Sequence, residues 1–187
     1  MNHQFFLSTP SWNMRNSSLL ASTIVVLASC MSPAPTEGAH EVDALFAQNC
    51  ETAKALIRDF DNEELTAVQG HFADSALWLP TKFGQADTAS LQDKLQAWES
   101  AWATYDFNLA TEELRLLPGV NAETKEVDGS VRVYFDWEVV RPATDSTDRK
   151  AVMISYYESW DFDAAGKIWL TQIYGDATAA MQALNGM

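Results

Sequence analysis

The chain has 187 residues with 12 basic and 26 acidic side chains, a formal net charge of −14. That length suits one ordinary domain with a real core. A composition of 47% hydrophobic and 20% charged residues excludes a disordered chain. The acid excess argues against nucleic acid, and against adhesion to an anionic membrane surface, because both would repel it. Seven tryptophans and nine phenylalanines are many for this size, so large rings must either fill a core or line a cavity. Two cysteines cannot form a disulfide framework.

Residues 1–29 read as a signal peptide. Leu19 to Ser29 is an apolar run without charge, too short to cross a bilayer as a helix, and its upstream flank carries Arg15 and no acid. Met14-Arg15 would make a compact start if translation began there. Leu27-Ala28-Ser29-Cys30 resembles the bacterial lipobox, which implies that Cys30 is lipidated and becomes the new N-terminus. The alternative is an ordinary signal cleaved nearby, with Cys30 a bystander. Residues 30–39, rich in Pro, Ser and Gly, read as a tether, and 40–187 as the folded domain. The expected location is the cell envelope, lipid-anchored and facing the periplasm from the outer membrane. Lipidation would leave Cys50 as the sole thiol, and loss of the signal would make the net charge one unit more negative.

From Glu41 the apolar positions Val42, Leu45, Phe46, Ala53, Leu56, Ile57 and Phe60 follow helical spacing. Asp59 to Asn62 is a break, and Asp61 or Asn62 is the expected cap of a second short helix with Leu65, Val68 and Phe72 on its buried stripe. Ala76 to Pro80 reads as a short extended piece. A third helix is expected from Thr88 to about Ala103, with Leu91, Leu95, Trp98 and Trp102 inward. The remainder reads as strands: Tyr105 to Leu109, and Leu114 to Leu117 with a turn at Pro118-Gly119. Another turn is expected at Asp128-Gly129, then strands Val131–Val139, Val152–Phe162 and Ile168–Tyr174. Three helices followed by antiparallel strands is an α+β pattern, with helices packed on one face of a curved sheet.

No phosphate loop, HExxH or CxxC is present, and His3, His40 and His71 are the only histidines, so no metal site and no cofactor is expected. The strand faces are more informative. Val131, Val133, Phe135, Trp137 and Val139 share one apolar face, while Arg132, Tyr134, Asp136 and Glu138 face the other way, toward solvent or a homodimer contact. On the next strand Val152, Ile154, Tyr156, Glu158, Trp160 and Phe162 share a face. Glu158 is a lone acid on an apolar wall; burying its charge alone is costly, which makes it a candidate site residue. The bland alternatives are an exposed strand end or a pairing with Arg58 or Arg115. His71 borders the second helix's stripe, either packed against backbone or pointing into a cavity as a proton carrier near Glu158. Trp78 reads as core or as a ring at a pocket mouth.

Two stretches, His71-Phe72-Ala73-Asp74-Ser75-Ala76-Leu77-Trp78-Leu79-Pro80 and Phe162-Asp163-Ala164-Ala165-Gly166-Lys167-Ile168 with Gln172-Ile173-Tyr174, resemble the NTF2-like superfamily. The resemblance is to its SnoaL-like domains and ketosteroid isomerases, and covers about residues 41–180. It implies a cone, three N-terminal helices closing over a curved antiparallel sheet, with a cavity open at one end. Of the isomerase residues, the general-base aspartate falls on Leu79 and the oxyanion tyrosine near Ala55 or Leu56, so steroid isomerisation does not carry over. The protonated aspartate falls on Glu158, and the second acid of the family's Ala-Asp-Asp is Ser75.

Taken together, the sequence leads to an envelope lipoprotein that holds a small apolar or aromatic molecule. Trp78, Phe135, Trp137, Tyr156 and Trp160 are the expected lining, and Glu158 or His71 the polar contact and candidate catalytic group. The alternatives are a SnoaL-type enzyme, moving a proton or adding water, and a dimerisation domain whose rings fill the cone.

Overall fold

A computed structural model of the chain describes residues 37–186. The signal segment, Cys30 and most of the expected tether lie outside the described residues. No described helix is long and apolar enough to cross a membrane.

Helix α1 (Glu37–Asp61) starts earlier than the apolar stripe and takes in the end of the expected tether. Asn49, Cys50, Ala53, Leu56 and Ile57 form its buried side. Glu63, at φ 56°, turns the chain into α2 (Leu65–Gly70). Neither Asp61 nor Asn62 caps α2: the cap residue is Glu64, with no side-chain hydrogen bond. The Asp61 carboxylate instead accepts from the Leu109 backbone N–H at 2.6 Å and ties a later strand to the end of α1.

Strand β1 (Phe72–Trp78) is longer than expected and claims Phe72, which had been placed on the helix stripe. Phe72 satisfies both periods, and pairing with the last strand decides for extended backbone. After the two-residue β2 (Ala89–Ser90), α3 (Leu91–Trp102) begins three residues past Thr88. Ser90 is its cap: the hydroxyl accepts from Asp93 N–H, and the Asp93 carboxylate accepts from Ser90 N–H, a reciprocal capping box.

Two expected turns are not turns. Strand β4 (Arg115–Val120), which follows β3 (Asp106–Leu109), runs through Pro118-Gly119. It is tolerated there because β4 pairs only with β5, so the proline's missing donor faces no second partner. The reversal comes at Asn121, whose side-chain oxygen accepts from the N–H groups of Glu123 and Thr124. Asp128-Gly129 lies inside the long β5 (Val127–Arg141). Gly129 has φ +79°, and a Cβ there would stand 2.7 Å from Leu45 of α1. Its carbonyl accepts from the Asn49 amide at 2.9 Å, so the missing side chain lets α1 lie directly against β5 here.

Strands β6 (Lys150–Phe162) and β7 (Ile168–Tyr174) lie where the alternation placed them. A fourth helix, α4 (Ala177–Asn185), was not expected; Asp176 caps its start and Gly186, at φ 73°, ends it. The strand order is β2-β1-β7-β6-β5-β3, with β4 also on β5. The sheet is mixed rather than antiparallel, because β1 pairs with β7 in parallel. The fold class, α+β, stands. The count of three leading helices does not: α1 and α2 precede the sheet, α3 interrupts it and α4 follows it.

Candidate functional site

The inward faces of β5 and β6 make the wall of a cavity of about 930 Å³. Phe135, Trp137, Tyr156, Glu158 and Trp160 line it from those strands, and Trp78 from the end of β1. Phe60 and Trp98 approach from α1 and α3, with ring centroids 5.6 Å apart and perpendicular planes. The exposed Phe83 and Gly84 also belong to the lining, so the cavity reaches the surface between β1 and α3. The rings surround a space rather than filling it.

Glu158 stands on that wall with apolar neighbours on both sides, Val133 across on β5 and Ile173 across on β7. The strand register therefore gives it no cationic partner across either neighbouring strand. Trp160, two residues along the same face, donates from Nε1 to Glu158 Oε2 at 3.0 Å. Among the described residues no hydrogen bond holds the other oxygen, Oε1. Burial pushes the Glu158 carboxyl up to about 7, against the smaller opposing pulls of the Trp160 N–H and the Lys94 charge. Its remaining exposed area is cavity wall, so the group is enclosed by protein although not hidden from the cavity. The two arginines that could have paired with it are elsewhere. Arg58 reaches Asp59 at 3.2 Å, and Arg115 lies over the Tyr134 ring on the opposite face.

Burial, followed by the neighbouring Glu158 charge, pushes the Tyr156 hydroxyl up to about 12, so it stays protonated across the working pH range. Its ring stacks on Phe135 at 6.0 Å. Gly175 allows this position, since a Cβ there would meet Tyr156 Cδ1 at 2.6 Å.

His71 is not part of the cavity. It closes α2, and its Nε2 donates to Asp59 Oδ2 at 2.7 Å, a contact between the ends of α1 and α2. The expectation of a proton carrier near Glu158 is corrected: Asp59, one turn from the end of α1, claims the ring first. The bland reading of a packed histidine was nearer, with a carboxylate as the partner instead of backbone.

Lys94 is the most informative of the lining residues that the sequence reading missed. It lies on α3 between Leu91 and Trp98, on the same stripe as those apolar residues, and its Nζ sits 5.6 Å from the Trp78 ring centroid. Burial, and then the like charge of Lys82, push the Lys94 amine down. A lysine at a stripe position was the available signal. Among the described residues no group of His, Cys, Asp or Glu side chains is set to hold a metal ion.

No family model matches the sequence, and no curated protein matches it by sequence. Solved structures do match by shape. A candidate polyketide cyclase from Xanthomonas campestris pv. campestris has a TM-score of 0.55 at 13% identity, covering 74% of this chain and 98% of that one. A candidate SnoaL-like polyketide cyclase from Shewanella denitrificans gives 0.54 at 8% identity, over 74% of this chain and 96% of its own. An NTF2-like protein from Burkholderia xenovorans gives 0.53 at 13% identity, over 74% and 97%. At such identities shape is what is shared, and chemistry is not transferred with it. Residues 37–186 share the fold of these NTF2-like and SnoaL-like structures.

Proposed function

We propose that this domain holds a small, mostly apolar molecule in its aromatic cavity, on a protein exported and lipid-anchored through Cys30. One observation carries the reading: a cavity of drug-like size with a ring-lined wall contains one carboxyl with an uncommitted oxygen. Such a group orients a ligand by one hydrogen bond while the rings supply the contact area. N-phenyl-1-naphthylamine, a neutral dye that brightens in apolar sites, tests it. Saturable binding, reduced when Trp137 or Tyr156 is replaced by alanine, is expected. No binding by the folded protein removes the reading. The anchor has its own test: Cys30→Ala abolishes palmitate labelling and membrane association, and unchanged association overturns it.

A second reading is favoured by the same carboxyl. A group that exchanges its proton near pH 7 suits general acid–base work, such as moving a proton next to a carbonyl or adding water. The candidate cyclases of the same shape are consistent with that class of reaction. Glu158→Gln separates the two: an enzyme variant binds but turns nothing over, while a carrier loses only part of its affinity.

A further inference from the structure

Four of the protein's six lysines reach an oxygen. Lys54 donates to Glu51 at 2.7 Å and Lys150 to the Ala183 carbonyl at 3.3 Å. Lys125 and Lys167 donate to the carbonyls of Ala122 and Gly70. Lys82 and Lys94 reach none among the described residues, and these two line the cavity. They come from different elements, Lys82 from the loop after β1 and Lys94 from the first turns of α3. Both line the same cavity, and the Lys82 charge acts on the Lys94 amine. In a chain with 26 acidic residues, two lysines line one cavity, and among the described residues neither makes an ion pair.

The acids of the lining form no ion pair with the two amines, and the Glu158 charge acts on Lys94 more weakly than the Lys82 charge does. Asp176 is committed to α4, its Oδ1 accepting from the Ala179 N–H at 3.1 Å. Glu158 is held by Trp160 on the β6 wall and makes no ion pair with either lysine. Lys94 is moreover half-buried against the Trp78 face, where its water shell is incomplete. An anion placed between the amines would relieve their repulsion and restore the lost hydrogen bonds, with charge assistance.

Resting on the ligand-binding reading above, we propose that the ligand is an amphipathic organic acid, its carboxylate held by Lys82 and Lys94 at the rim and its apolar body among the aromatic rings. The polarity of the site is thereby fixed: the charged end faces the mouth and the hydrocarbon or ring end faces inward.

Displacement of N-phenyl-1-naphthylamine from the purified full-length protein at pH 8 tests this, with dodecanoate and dodecan-1-ol as competitors. Dodecanoate should displace the dye at a concentration at least about tenfold lower than the alcohol, the scale of a charge-assisted hydrogen bond. In Lys82→Gln/Lys94→Met that preference should fall below about twofold while the dye and the alcohol still bind. Retained dye binding shows that the variant is folded, and the single exposed change Lys82→Gln should lose part of the preference without touching the core. Equal displacement by the two competitors, or a preference that survives in the double variant, overturns the acid class but leaves the cavity reading standing. Failure of the dye to bind the unaltered protein overturns both.

Discussion

Asp59 and Glu158 are both carboxylates taken out of water, and the fold treats them oppositely. At the junction of α1 and α2, burial raises the Asp59 carboxyl, but hydrogen bonds from His71 and Arg58, together with their charges, outweigh it and leave the group below its ordinary value. On the β6 wall, burial raises Glu158 and one indole N–H cannot compensate. The difference lies in what the backbone brings near. A helix end and a second helix converge on Asp59 with two bases, whereas sheet register flanks Glu158 with valine and isoleucine. The first carboxylate is a structural tie. The second is kept short of partners in a place where a ligand can supply one.

The contrast can be attacked from either side. The largest effect is expected for His71→Ala, which leaves Asp59 buried with only its exposed Arg58 neighbour. Denaturant midpoints at pH 7 should show a loss of about 2–3 kcal/mol, while dye binding in the cavity stays unchanged. Loss of dye binding would mean the two regions are not separate. Because the Asp59 value is lowered on folding, its contribution is present above about pH 4 and disappears as pH falls below that.

Glu158→Gln should act with the opposite sign. The folded protein binds this proton more tightly than the unfolded chain, about 7 against 4.5, so stability falls as pH rises through that window. The variant should therefore gain roughly 1–3 kcal/mol at pH 8 and progressively less toward pH 5, as read by thermal or denaturant unfolding. A difference that is flat with pH would place Glu158 with Asp59 as a tie. The smallest change is Trp160→Phe, which keeps most of the buried ring and removes the donor, at a stability cost of about 1 kcal/mol. Carboxyl-labelled NMR should then show Glu158 titrating at a higher pH than in the unaltered protein. An unmoved titration would show that the indole bond plays no part.

How much of this was legible in the sequence depends on the reach of each interaction. Glu158 stood out because alternation along one strand is local, and the facing of Tyr156 and Trp160 followed from the same period. Lys94 did not stand out because only apolar positions were read from α3, although position 94 shares the stripe of Leu91, Leu95 and Trp98. The His71–Asp59 pair spans a turn and two helices, which no periodicity reports. The same holds for the parallel register of β1 on β7, fixed only when the ends of the domain meet. Pro118-Gly119 and Asp128-Gly129 carried turn chemistry, yet an edge position for one and a helix contact for the other put both inside strands.

The parallel pairing of β1 and β7 also separates the cavity rim from the scaffold that supports it. Both strands point their C-terminal ends the same way, so residues 79–85 and 175–178 leave the sheet side by side and together build the rim. None of these rim residues belongs to the buried core, which is built by the strands and helices behind them. On the proposed binding role, substitution, lengthening or exchange of either segment would retune which molecules enter without disturbing the scaffold. Solved structures reach the same shape at 8 to 13% identity, so the skeleton tolerates wide change in the residues it carries.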